Sequence, residues 1–130
     1  MSNSYKNKIA EVLNTSSTNI FTYWKGRVGL YAILKAFGVK ENEEIIIPSF
    51  TCVVVPNAII YLKAKPVYVD IDKDTYNTTL ENIKQAITPK TKCILIQNTF
   101  GLSSEVEEII DFAKEHNILT IEDCTHGFGG

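Results

Sequence analysis

The sequence predicts a three-layer α/β/α fold with a mainly parallel β-sheet, and three observations carry this prediction. Near-continuous runs of Ile and Val recur along the 130 residues, as in strands that are buried on both faces. Segments with helical spacing of apolar residues separate these runs, which indicates parallel strands joined by right-handed crossovers. Polar side chains collect where each predicted strand ends, and such sheets bind ligands at that edge.

The first 25 residues are predicted to form a lead-in with one amphipathic helix at residues 4–13. A second helix begins at Gly26, because apolar residues follow it at helical spacing, and Gly38 supplies the C-terminal stop. We therefore assign residues 1–25 as an N-terminal helix and lead-in, and residues 26–130 as the N-terminal part of one large domain.

The rest of the chain alternates between strands and helices. The strands are predicted at residues 44–47, 66–70, 93–97 and 118–122. A helix from Pro56 follows the first strand, and Thr79 caps the helix after the second, with Glu81 in its acid-favouring first turn. The clearest helix spans residues 103–117, with a capping Ser and acidic residues at its start and basic residues at its end.

Composition excludes several classes of protein. An apolar content of 45% rules out a disordered chain, and a formal net charge of −2 leaves no basic surface for nucleic acid or an anionic membrane. The polar segment Met1–Lys8 has no apolar core of a secretory signal. Three widely spaced cysteines, Cys52, Cys93 and Cys124, favour a reducing compartment. We expect a cytoplasmic protein with no nucleic-acid and no membrane partner.

The start of the Gly26 helix is a candidate anion site. Free amides and the positive end of the helix dipole attract phosphate or carboxylate groups, and Arg27, the only Arg in the chain, would reinforce them. The alternative is an ordinary helix start with an exposed Arg. Taken alone, this segment favours the alternative.

Asp123 ends the last predicted strand and is the second candidate. A carboxylate there can hold a cation or a protonated ring nitrogen, or it can cap the next element. Asp123, Cys124 and His126 form too short a cluster for a metal site, so we expect no metal. A nucleophilic pair of His126 with Cys52 or Cys124 is conceivable, but Cys is more often a small buried apolar residue.

Four segments match one known pattern in order and spacing. They read GRVGLYAILKAFGV, EEIIIPSFTCVVVPNAIIYLKAKPVYVDID, TYNTTLENIKQAITPKTKCILIQNTFG and IEDCTHGFGG. Through these segments, residues 26–130 resemble the N-terminal part of the DegT/StrS family of pyridoxal-phosphate-dependent sugar aminotransferases. The resemblance implies the large domain of aspartate-aminotransferase fold type I, here incomplete, and pyridoxal 5'-phosphate as the cofactor.

The resemblance also implies roles for individual residues. The amides around Gly26, Arg27 and Val28 would hold the cofactor phosphate, in keeping with the chemistry of a helix N-terminus. Asp123 would pair with the ring nitrogen and keep it protonated.

Two further positions differ from the common pattern of the family. His126 stands where many members place a Gln against the ring hydroxyl group. Cys52 stands where an aromatic side chain usually covers the ring, and Phe50 is a possible substitute.

The resemblance implies an activity for the intact protein. It would transfer an amino group, with glutamate as the donor, to a nucleotide-linked keto-sugar in polysaccharide or amino-sugar biosynthesis, as a homodimer. Two alternatives stay open: a dehydratase of the same family, and a non-catalytic, truncated α/β module. Every Lys of this chain precedes Asp123, whereas the Schiff-base Lys of the family follows that motif. We therefore assign no catalytic residue, and expect a piece of a longer protein that is inactive alone.

Overall fold

The computed structural model of the protein describes residues 3–128. Within that range, the strands form one sheet in the order β2-β1-β3-β4, and all three neighbouring pairs are parallel. The strands are β1 Glu44–Pro48, β2 Lys65–Val69, β3 Thr91–Gln97 and β4 Leu119–Asp123. This confirms the predicted parallel sheet. The division into 1–25 and 26–130 stays a prediction, and its outer ends lie outside the described residues.

The described part of the chain contains five α-helices. They are α1 Asn3–Val12, α2 Gly26–Ala36, α3 Val54–Tyr61, α4 Leu80–Ala86 and α5 Val106–Glu115. Gly38 adopts a φ of 72° just beyond α2, which is the left-handed stop that the sequence predicts. Thr79 caps α4, because its hydroxyl oxygen accepts a hydrogen bond from the Asn82 amide at 3.3 Å. In α3 the helix begins before Pro56, which lies in the first turn, where Pro is tolerated.

The prediction that α5 begins near residue 103 with a Ser cap is wrong. The helix begins at Val106. The amide of Ser104 donates to Oδ1 of Asn98 at 3.1 Å, and its hydroxyl donates to the carbonyl of Thr78, also at 3.1 Å. Ser104 therefore joins two loops at the sheet edge and is not available as a cap.

The sheet separates two cores, and alternate residues of β1 and β3 pack into one core or the other. On one face, strand residues pack with α2 and α3 in a cluster of Leu34, Ile45, Ile47, Val55, Ile59, Ala64, Cys93 and Leu95. On the other face, they pack with α4 and α5 in a cluster of Ile46, Val69, Ile83, Ile94, Ile96, Ile109, Ala113 and Ile118. The helices thus lie on both faces, as predicted. The strand order reverses between β1 and β3, which opens a crevice beyond their carboxyl ends.

Glu44, at the opposite edge of the sheet, is a buried carboxylate with two side-chain partners. It accepts a hydrogen bond from the Thr88 hydroxyl at 2.6 Å and one from Nζ of Lys65 at 3.1 Å. The bond from Thr88, followed by the contact with Lys65, holds the pKa of Glu44 below its ordinary value of 4.5.

We expect Glu44→Gln to remove part of the acid sensitivity of folding. Because the pKa is lower in the folded state, the ionised carboxylate stabilises the protein above the unfolded-state pKa, and this contribution is lost as the pH falls below it. Urea unfolding should show a loss of about 1–3 kcal/mol in the variant at neutral pH, because the Thr88 hydroxyl and the Lys65 ammonium group lose a charged acceptor. The difference in the free energy of unfolding between wild type and Glu44→Gln should shrink at about pH 3.5.

Glu41→Gln is the matched control for this experiment. Glu41 pairs with Lys63 at 3.8 Å, and both side chains are exposed, so the substitution should change little at either pH. A free energy of unfolding that falls with acid equally in wild type and Glu44→Gln would contradict the prediction.

Candidate functional site

The carboxyl ends of β1, β3 and β4 surround a cavity of about 400 Å³, which we call the switch-point cleft. Residues that follow each strand contribute to its walls. Among them are Phe50, Cys52, Gln97, Phe100, Asp123 and His126. The structure therefore brings together three residues that the sequence singled out, namely Cys52, Asp123 and His126.

Gln97 organises the floor of this cleft, and the sequence analysis missed it. Its buried side chain donates from Nε2 to the carbonyl of Phe50 at 3.2 Å and to the Thr99 hydroxyl at 2.8 Å. Its Oε1 accepts from the Thr51 hydroxyl at 2.6 Å. These bonds fix the loop after β1 against β3. The signal in the sequence is a polar amide at the end of the buried run ILI, where it needs partners.

Asp123 lies at the end of β4 with its side chain partly buried. Its Oδ1 accepts hydrogen bonds from the Thr125 amide at 3.0 Å and from the Thr125 hydroxyl. Within residues 3–128, Oδ2 accepts no hydrogen bond, so one oxygen is held and the other is available to a bound group. This geometry shows the capping role of Asp123, whereas its ligand role stays a prediction.

A second, larger cavity of about 870 Å³ runs between α2 and β4, and we call it the α2–β4 cleft. Asp123 lines this cleft as well, together with Gly26 and Arg27. The two segments are nearly a hundred residues apart in the sequence. The structure therefore places the start of α2 and the Asp123 carboxylate on one cavity.

Within the start of α2, the three predicted amides differ. Gly26 and Arg27 occupy the first two helical positions, where an amide has no acceptor in the preceding turn. The amide of Val28 instead donates to the carbonyl of Lys25 at 3.0 Å, and Val28 lines a separate cavity next to Arg27. The free amides at this end are therefore those of Gly26 and Arg27.

The three cysteines have different surroundings. Cys52 is exposed on the switch-point cleft. Cys93 lies in the core, where burial raises its pKa to about 12. Burial and, next, the Glu122 carboxylate raise the pKa of Cys124. These shifts disfavour a thiolate at Cys93 or Cys124.

The described residues contain no group of three or more His, Cys, Asp or Glu side chains that could hold a metal ion. They also include no helix that is long and apolar enough to cross a membrane.

The sequence model of the DegT/DnrJ/EryC1/StrS aminotransferase family matches residues 3–130. The chain belongs to this family. GDP-perosamine synthase of Escherichia coli O157:H7 is 37% identical over 125 residues, which cover 96% of this chain and 34% of that protein. The resemblance that the sequence motifs indicate is therefore confirmed.

Solved structures of this family agree with the fold. An aminotransferase from Psychrobacter cryohalolentis superposes with a TM-score of 0.86 at 27% identity, over 97% of this chain and 31% of that one. NtdA from Bacillus subtilis, with bound cofactor PMP, superposes with a TM-score of 0.77 at 32% identity, over 80% of this chain and 24% of that one. The family is thus one of pyridoxal-phosphate-dependent enzymes. This chain spans about a third or less of the length of these relatives.

Proposed function

We propose that the intact protein is a pyridoxal-phosphate-dependent aminotransferase, which transfers an amino group from glutamate to a nucleotide-linked keto-sugar. One observation carries the proposal: the free start of α2 and the Asp123 carboxylate line the same cleft. The similarity to a GDP-perosamine synthase supports a nucleotide-linked sugar as substrate. The proposal includes a cytoplasmic homodimer that acts in polysaccharide or amino-sugar biosynthesis.

The start of α2 has the chemistry of a phosphate site. The amides of Gly26 and Arg27 are unpaired in the helix, and the positive end of the helix dipole favours an anion there. The exposed guanidinium of Arg27 lines the same cleft and can donate to phosphate oxygens. In this proposal, both residues bind and orient the phosphate end of the cofactor.

Asp123 has the chemistry required at the ring end. Thr125 holds Oδ1 in place by two hydrogen bonds, so Oδ2 is positioned to accept a hydrogen bond from a protonated ring nitrogen. When bound, the cofactor supplies an electron sink for the substrate carbon, and a carboxylate that keeps the ring nitrogen protonated strengthens that sink. The partial burial of Asp123 strengthens its electrostatic interaction with a cation.

Cys52 and His126 complete the proposed site on the side of the switch-point cleft. Cys52 would lie against the ring face, and His126 would face the ring hydroxyl group. The roles that we propose for these residues are binding and orientation.

Protection of Cys52 tests the cofactor site without an activity assay. In the intact protein, we expect pyridoxal phosphate to slow the reaction of Cys52 with a thiol reagent, because a bound ring covers the exposed sulfur. Cys93 should react only after unfolding, since it is buried and its pKa is about 12. Labelling rates measured by mass spectrometry against cofactor concentration give the affinity.

Arg27→Ala should raise by about tenfold the cofactor concentration that halves the labelling rate of Cys52, because the variant loses a charged hydrogen bond to the phosphate. Lys35→Ala is the control, because Lys35 is an exposed cation in the last turn of the same helix. A Cys52 labelling rate that is independent of cofactor, or equal affinities in the two variants, would count against the site.

A further inference from the structure

The chain contains two histidines. Nδ1 of one ring faces a hydrogen-bond donor, and Nδ1 of the other faces an acceptor. Nδ1 of His126 lies 3.1 Å from the backbone amide of Phe100. Nδ1 of His116 lies 2.8 Å from the backbone carbonyl of Phe112. An amide can only donate and a carbonyl can only accept. In the neutral rings, the proton therefore sits on Nε2 of His126 and on Nδ1 of His116.

The amide that faces His126 comes from an unusual backbone conformation. Phe100 has a φ of 55° and a ψ of 19°, in the left-handed region that bulky residues avoid. Such a conformation persists only where the surrounding structure holds it. Here it turns the Phe100 amide towards His126.

The ring of Phe100 supplies part of that support. It stacks on the His126 ring with a centroid distance of 5.7 Å and an interplanar angle of 11°. It also packs against the rings of Tyr76 and Phe50, at centroid distances of 5.6 Å and 6.1 Å. Because Phe100 as a whole residue remains 63% exposed, these contacts orient the ring at the cleft wall without burying it in the core.

A contact between two glycines brings the two loops close enough for this bond. Gly101 follows Phe100, and Gly127 follows His126. A Cβ atom on Gly127 would lie 2.7 Å from the Cα of Gly101, so no larger residue fits without moving the backbone. The approach of the loops after β3 and β4 therefore depends on Gly127.

We propose that Phe100 is a positioning residue, which fixes His126 at the cleft wall as its Nε2–H tautomer through its backbone amide and its ring. His126 then offers a hydrogen-bond donor, and not an acceptor, to whatever occupies the cleft. Its complement is an acceptor group such as a phenolate oxygen. In that last step the inference rests on the proposed function, in which the ring oxygen of the cofactor faces His126.

The test is nitrogen NMR of the His116 and His126 imidazoles in the ¹⁵N-labelled intact protein, without cofactor, at about pH 8.5. Two-bond ¹H–¹⁵N correlations distinguish the protonated from the unprotonated ring nitrogen. We expect the Nε2–H pattern for His126 and the Nδ1–H pattern for His116. An Nδ1–H pattern for His126 in the wild type would overturn the proposal.

Phe100→Ala should replace the single Nε2–H pattern of His126 by an average of both tautomers, because the loop relaxes without the ring. Phe100→Tyr should keep the wild-type pattern. Gly127→Ala should have the same effect as Phe100→Ala, although it leaves Phe100 in place. Phe112→Ala is the matched control. The Phe112 and His116 rings have a centroid distance of 4.2 Å, so this substitution should affect only His116. Backbone amide spectra verify that each variant is folded.

An unchanged His126 pattern in both Phe100→Ala and Gly127→Ala would overturn the proposal. This measurement needs no cofactor, whereas protection of Cys52 measures cofactor binding. Failure of the positioning role and failure of the proposed function therefore give different results.

Discussion

Asp123→Asn in the intact protein is expected to lower the rate of transamination by at least about 10²–10³-fold while leaving the fold intact. Asn retains an Oδ1 that can accept the two hydrogen bonds from Thr125, so the end of β4 should keep its conformation. It lacks the negative charge that keeps a ring nitrogen protonated, and the electron sink depends on that proton. Steady-state rates and the free energy of unfolding should be measured together.

Two further variants sharpen this experiment. Asp123→Glu should also retain little activity, because one extra methylene displaces the charge from the ring nitrogen. Asp70→Asn is the control, since Asp70 directly follows β2 at the same sheet edge and its Oδ1 only accepts from the Ile71 amide. Full activity in Asp123→Asn, or an equal loss in Asp70→Asn, would contradict the role that we assign to Asp123.

The sheet was predictable because its signal is local and repeated. Runs such as III and ILI leave no polar face, which favours strands that are covered on both sides. The position of Asp123 at a ligand-binding edge follows from that sheet, because parallel strands end on one side. Its proposed pairing with a ring nitrogen rests on the family resemblance and not on the physics of the strand.

The hydrogen bonds between loops were not predictable from the sequence. Phe100 carries no Gly or Asn signal for a positive φ, and its conformation depends on the distant residues His126 and Gly127. The predicted start of α5 was wrong for the same reason. Ser104 has the chemistry of a cap, but its amide and its hydroxyl donate hydrogen bonds to Asn98 and Thr78 instead. Long-range partners decided both cases.

Ile94→Ala is expected to have the largest effect on stability. Ile94 is fully buried in β3, opposite Ile46 of β1 and Thr120 of β4, and it belongs to the core under α4 and α5. Truncation leaves a cavity between rigid elements, at a cost of about 2–5 kcal/mol. The midpoint of urea unfolding should fall accordingly, with an unchanged dependence on urea concentration.

Ile121→Ala, in the neighbouring strand β4, is the matched comparison. Ile121 has the same side chain but lies on the α2 side of the sheet, where it is only partly buried and lines the α2–β4 cleft. Less apolar surface is lost from the core there, and water can fill the space, so the cost should be clearly smaller. Equal losses at both positions would mean that this face of β4 is covered in solution as fully as Ile94 is, contrary to the structure.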